Sequence, residues 1–356
     1  MLDAMKPALR EAGKAFLDEL ALQRALHQRG ICRLEAPAAT EIDGRYLVTS
    51  ELGIYRLDKD GIAKVFDLPT FGIAAWRDYL YLGIQQGAYT SVLRVSRKAL
   101  GKPGARLECK LVYRLRVGRT NERIHQLCAS DDFVWVANTG RNTLLRIDPN
   151  ADDAIEEYTV FLDRFGAPIH SDVNHINSVH SHGNCLLFVA YKIGKQSMIG
   201  ILHDGQIEGY AYPRKGVHDI YLTREGFMFS DTFGENTDEK GGVPVTEKGP
   251  MDPERFAKPP GYIVRGIAGQ GSEMIIGHSH KGKRAKRFEG RGALLIYRDR
   301  SFVTELTMPC SQVYQIMRED GKTLDGPDAV LDVEQVRRRI SGSLGEVIYR
   351  APATPV

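Results

Sequence analysis

Six short stretches set a side chain capable of chemistry, or an aromatic ring, among apolar residues. They are Phe71-Gly72-Ile73, Ile124-His125-Gln126-Leu127, Ile176-Asn177-Ser178-Val179, Val217-His218-Asp219-Ile220, Val264-Arg265-Gly266-Ile267 and Val313-Tyr314-Gln315-Ile316. Imidazole titrates near neutral pH and ligates metals, so His125 and His218 suit proton transfer or ligation. His175 stands two residues before Asn177, on the same side of a strand, and joins them. A guanidinium such as Arg265 holds a carboxylate or phosphate. Tyr314 and Asp231 are candidates for the general acid or base.

These residues are far apart in the chain, so a repeat must gather them. The stretch from Arg123 to Pro149 reads as short strands joined by tight turns at Asp131-Asp132 and Asn138–Asn142, with a fourth strand at Glu157–Phe161. One such sheet cannot bury both faces alone. Taking Phe71, His125, Asn177, His218, Arg265 and Tyr314 as equivalent points, the spacings are 54, 52, 41, 47 and 49 residues, which is the period of four-stranded propeller blades. The expectation is an all-β fold, a six-bladed β-propeller over residues 30–320, with an N-terminal helix over 1–29 and a C-terminal extension over 321–356. Each inner strand then starts at one face, where the second strand ends. The equivalent points would share that mouth with Gln85, Asn138, Tyr191, Lys192, Asp231, His278 and His280, and on one reading with His180. His180 and His182 have a second place open to them, at a turn on the opposite face.

The rest of the chain is read around this ring. Leu9, Phe16, Leu20 and Leu26 recur at near-helical spacing, as a brace across the propeller or a helix that pairs two copies. Either Arg33–Thr40 or Ser311–Met317 supplies the innermost strand of the closing blade. After Asp231 the outer strands are either degenerate, at Val243–Val245 and Arg255–Ala257, or replaced by a loop over the face. Val333–Ile340 reads as a short helix and Ala351–Val356 as a loose tail. With 48 basic against 45 acidic residues, the net charge of +3 argues against nucleic acid or a membrane surface as the main partner. The five scattered cysteines form no CxxC pair, no apolar run spans a bilayer, and no signal-peptide core is present, so the expected compartment is the cytoplasm.

The phrases RIHQLCASDDFVWVANTG, NHINSVHSHGNCLLFVA, PPGYIVRGIAGQGSEMIIGHS and SQVYQIM resemble successive blades of an uncharacterised bacterial propeller family. More distantly they are similar to the six-bladed SMP-30/gluconolactonase and NHL propellers. The lactonases hold one divalent metal through Glu, Asn, Asn and Asp. Asn177 matches one Asn, but His or Arg stands where acids or amides would be.

Three readings remain open from sequence. In the first, His125, His175 and His218 bind one divalent metal (Fe, Zn, Mn or Ca), with Tyr314 or Asp231 as acid or base. In the second, His218 and His125 move protons without metal on a small anionic metabolite. Arg265, Asn177, Asn138, Lys192, His278 and His280 would bind that substrate. In the third, the propeller is a non-catalytic scaffold that docks a protein through the N-terminal helix, the basic run 281–287 or the segment Phe233–Pro260.

Overall fold

The computed structural model describes residues 42–87, 89–102, 107–116, 123–193, 196–212, 216–224, 226–231, 244–246, 249–250, 262–280, 286, 288–299 and 301–355. The helix expected over 1–29 lies outside them.

The period found in the sequence is a period of antiparallel sheets, and the chain ends by closing its first one. That sheet contains β1 (Tyr46–Ser50), β2 (Gly53–Asp58), β3 (Gly61–Phe66) and, innermost against β1, β24 (Val313–Arg318). The closing strand is therefore the C-terminal of the two segments left open. The second sheet holds β4 (Thr70–Trp76), β5 (Tyr79–Gln86), β6 (Tyr89–Ser96) and β7 (Cys109–Arg116). The third holds β8 (Ile124–Ala129), β9 (Val134–Asn138), β10 (Thr143–Asp148) and β11 (Ala154–Thr159). The fourth holds β12 (Ile176–His182), β13 (Cys185–Ile193), β14 (Gln196–His203) and β15 (Gln206–Tyr212). The fifth holds β16 (Val217–Thr223), β17 (Gly226–Asp231), β18 (Pro244–Thr246) and β19 (Gly249–Pro250). The sixth holds β20 (Tyr262–Gln270), β21 (Glu273–His280), β22 (Ala293–Arg298) and β23 (Ser301–Thr307).

The expectation of six blades is corrected to five: five of these sheets are propeller blades with four strands of at least five residues, whereas the outer strands of the fifth sheet are only three and two residues long. Of its two expected outer strands, the one placed at Val243–Val245 begins a residue later, and 255–257 lies outside the described residues. Innermost strands meet in the order β24, β4, β8, β12, β16, β20 and back to β24. Six apolar clusters fill the wedges between neighbouring sheets. The last wedge joins Val48 and Ile316 of the first sheet to Ile275 and Leu294 of the sixth. Each fully buried Leu or Ile contributes roughly 1.5–3 kcal/mol, so ring closure is driven mainly by these wedges.

The C-terminal extension is built into the ring, and the tail expected to be loose is two strands. β25 (Val347–Pro352) adds a fifth strand beside β15, and β26 (Thr354–Pro355) one beside β11. Before them runs α1 (Val333–Leu344), somewhat longer than the pattern predicts. Its start carries a reciprocal cap: Gln335 N donates to Asp332 Oδ1 at 2.7 Å, and Asp332 N to Gln335 Oε1 at 2.9 Å. Val336 and Ile340 bury against the fourth and fifth sheets. Among the described residues no helix is long and apolar enough to cross a membrane.

Around the axis, every innermost strand breaks register at or beside its equivalent point. The irregularities fall between Thr70 and Gly72, Ile124 and Leu127, Ile176 and Ser178, His218 and Tyr221, and Val264 and Ile267, and where β24 meets Val48–Ser50. A bulge re-aims side chains and leaves backbone groups unpaired. At four of the six points the next residue, Gln126, Ser178, Asp219 or Gln315, supplies missing partners. Gln315 Nε2 donates to the carbonyls of Ile73 (3.0 Å) and Leu127 (2.9 Å), while its Oε1 accepts from the N–H groups of the same two residues. Gln126 Oε1 accepts from Ser178 Oγ and Val179 N, and its Nε2 donates to Tyr221 OH and Asp219 Oδ1. Asp219 Oδ2 accepts from Ser230 Oγ at 2.7 Å and Gly266 N at 2.8 Å. The belt thus touches all six innermost strands. Glycine fills its remaining places, Gly72 and Gly266. A Cβ on Gly72 would lie 2.2 Å from the His125 carbonyl, and Gly266 adopts φ +74°.

Two predictions follow the belt. Gln315→Leu strands four buried backbone groups, so it should cost about 3 kcal/mol or more, read as a lowered thermal midpoint. An unchanged midpoint would contradict this. Burial pushes the Asp219 carboxyl up to about 6, although Ser230, the Gly266 N–H and Arg265 hold it down. The folded chain then binds more protons than the unfolded one between about pH 4 and 6. Stability should fall as pH rises through that window and level off above it. Asp219→Asn should abolish that slope in thermal midpoints taken from about pH 4 to 7.

Candidate functional site at the axial mouth

The bulges turn the equivalent points into a continuous patch above the belt. Phe71 stacks on Tyr314 with centroids 4.3 Å apart and lies 6.4 Å from His125. His125 meets His175 edge-on at 4.9 Å, His175 meets Tyr191 at 4.4 Å, and Tyr191 lies 5.8 Å from His218. The Arg123 guanidinium sits 4.8 Å over the Phe71 ring. Arg123 and Arg265 are both close enough to act electrostatically on His125 and on Tyr314. His125, His175, Tyr191, Arg265 and Tyr314 are half-buried, whereas Phe71, Asn177 and His218 are buried.

Hydrogen bonds settle one tautomer. The Arg123 carbonyl can only accept, so His125 Nδ1, 3.2 Å away, carries the proton. Thr139 Oγ1, 2.8 Å from the same nitrogen, gives its own proton to the Ile176 carbonyl and also accepts from His125. The lone pair of neutral His125 is therefore at Nε2. Burial, with His175 and Arg265 nearby, holds its pKa well below 6.5, so it is neutral at physiological pH. His175 has φ +57°, a left-handed conformation unusual for a residue other than glycine, and its Nδ1 is 2.7 Å from Asp172 Oδ1. Tyr314 is pushed up by burial and by Glu51, whose carboxylate accepts from the Ser311 and Gln312 amides. Asn177 Nδ2 donates to the Val217 carbonyl at 3.0 Å, and its Oδ1 has no partner among the described residues.

The three histidines named as metal ligands do not converge. Among the described residues no group of three or more His, Cys, Asp or Glu is placed to hold a metal. The Tyr191 ring lies next to both His175 and His218. The residues present do not fit a divalent ion here.

Other expected members go elsewhere. The Asn138 amide is taken up by Tyr113, Thr143 and Glu157 toward the outer strands. His278 is buried on β21 opposite Val264 and Ala293. The His280 ring covers Gly290, where a Cβ would lie 2.3 Å from its Cγ. His180 packs edge-on against Tyr221, and His182 Nε2 accepts from the Leu331 N–H, anchoring the C-terminal extension. Asp231 and Lys192 are placed by backbone alone, at the ends of β17 and β13. The basic run 281–287 and the segment Phe233–Pro260 fall mostly outside the described residues.

Sequence reasoning missed Arg123, Asp172, Thr139 and Glu51, and named Tyr191 only as a turn residue. It also read past the belt. A signal for the belt was present: Gln126, Ser178, Asp219 and Gln315 are second polar residues in runs where strand alternation calls for an apolar one.

No protein-family model matches the chain, and no curated protein matches it. Among solved structures, a chain of the nidogen/laminin complex is similar over 78% of this chain and 99% of its own, with 9% identity and a TM-score of 0.53. The PQQ-bound aldose sugar dehydrogenase of Streptomyces coelicolor aligns over 76% of this chain and 98% of its own, with 12% identity and a TM-score of 0.43. The likeness to the first supports the propeller fold.

The electrostatic claim is checked on 15N-histidine-labelled protein. His125 should remain the neutral Nδ1–H tautomer at pH values where an ordinary imidazole is already protonated, and Arg265→Met should raise its pKa by removing a nearby cation. A His125 that titrates at the ordinary value would contradict the geometry.

Proposed function

We propose that the axial mouth binds a small anionic metabolite and that the protein is a small-molecule enzyme or binding protein. The observation that carries this is the placing of Arg123 and Arg265 beside His125 and Tyr314 at one mouth. Two guanidiniums over a half-buried floor favour a carboxylate or phosphate, since charge-assisted bonds gain strength away from bulk water. Phe71 and Tyr314 offer an apolar wall. Metal-free chemistry fits these side chains better than metal chemistry, because the histidines do not form a ligand set. A reducing cytoplasm remains the expected setting, and pairing of copies through the N-terminal residues the expected assembly.

Calorimetric titration with inorganic phosphate, followed by hydroxycarboxylates and sugar phosphates, tests this reading. Arg265→Met should weaken phosphate on the order of tenfold or more, because one charged hydrogen bond contributes about 1.5–3 kcal/mol. Equal affinity in the variant, or no binding of any anion tried, would sink the reading.

A further inference from the structure

The Asp172–His175 pair adds a role that the ring of equivalent points does not contain. Asp172 lies between the third and fourth sheets, in a segment without regular strand, and faces His175 just before β12 begins. Three independent features meet at His175. Its Nδ1 is 2.7 Å from a carboxylate that is 18% exposed, its own side chain is 12% exposed, and its backbone holds φ +57°. Non-glycine residues keep such a conformation only where surroundings enforce it, and such sites cluster where function needs them. The groups around the ring are His125 from β8, Tyr191 from β13 and, beyond Tyr191, His218 from β16.

We infer that His175, oriented by Asp172, is the proton acceptor of the mouth, taking an O–H proton from a hydroxyl-bearing anion such as a hydroxycarboxylate or a sugar phosphate. This rests on the anion-binding reading above. A carboxylate on Nδ1 fixes the proton there, so the lone pair of neutral His175 is at Nε2. In the step, the substrate O–H bond breaks and its electron pair stays on oxygen as an alkoxide beside the guanidiniums. The proton bonds to Nε2. The resulting imidazolium keeps its Nδ1–H on Asp172, whose charge stabilises it. His125, neutral and edge-on to His175, stands beside it without adding a second positive charge. Asp172 is a positioning residue in this scheme and His175 the catalytic one, a role the sequence pattern had given to His218 and His125.

The test uses the whole chain, diethyl pyrocarbonate as a probe of neutral imidazole, and peptide mass spectrometry to read each histidine. His175 should be modified with a sigmoidal pH dependence. Asp172→Asn should slow it on the order of tenfold while leaving the rate at exposed His170 unchanged. An unchanged His175 rate in Asp172→Asn would overturn the inference. Should that variant fail to fold, the unmodified protein decides. The Nδ1–H proton of His175 should resonate well downfield of ordinary imidazole N–H, and an ordinary position would overturn the inference. Phosphate protection separates the two claims. If phosphate neither binds nor protects while Asp172→Asn still slows His175, the anion reading has failed and the dyad stands.

Discussion

Everything at the mouth depends on the hydrogen-bonded belt that ties the six innermost strands together. Where these strands crowd around an axis, each breaks register, and every break leaves buried backbone groups in need of partners. Gln126, Ser178, Asp219 and Gln315 supply them across sheet boundaries, and Gly72 and Gly266 leave the room. The bulge that creates the need also points the preceding residue into the mouth. Stability and site are thus two results of one irregularity, repeated six times.

Burial and charge assign different states to chemically similar groups. His125 is neutral, with its Nδ1 proton held by two oxygen acceptors, whereas His175 faces a carboxylate. Tyr314 keeps its proton through burial beside Glu51. Arg123 and Arg265 supply positive charge, and neither guanidinium needs to titrate. Directly beneath, Asp219 sits near its protonation midpoint at mildly acid pH and touches Arg265 electrostatically. The floor of the mouth is therefore sensitive to mildly acid pH.

The ring was legible because its signal is a period. Six equivalent points at spacings of 41 to 54 residues mark the strands, and the bulges fall at or beside them. What a period cannot show is a partner outside it. Asp172 comes from an irregular segment, and its approach to His175 depends on a left-handed backbone that no pattern announces. For the same reason a period cannot show whether the three histidines form a ligand set. Equivalent positions place imidazoles at one mouth, but only coordinates show Tyr191 lying next to both His175 and His218. Asn138 illustrates the opposite error, since a polar group at a strand end serves packing as readily as ligand binding. The C-terminal strands read as a loose tail because their pairing partners lie about 140 to 200 residues earlier.

Anomalous diffraction from crystals soaked in selenate tests the central claim most directly. Selenate has the shape and charge of a bound oxyanion and marks its own position. The account predicts one strong peak at the mouth, between Arg123 and Arg265 and in contact with His125 or Tyr314. Ordered selenate elsewhere on the surface, with the mouth empty and accessible in the crystal, would contradict it.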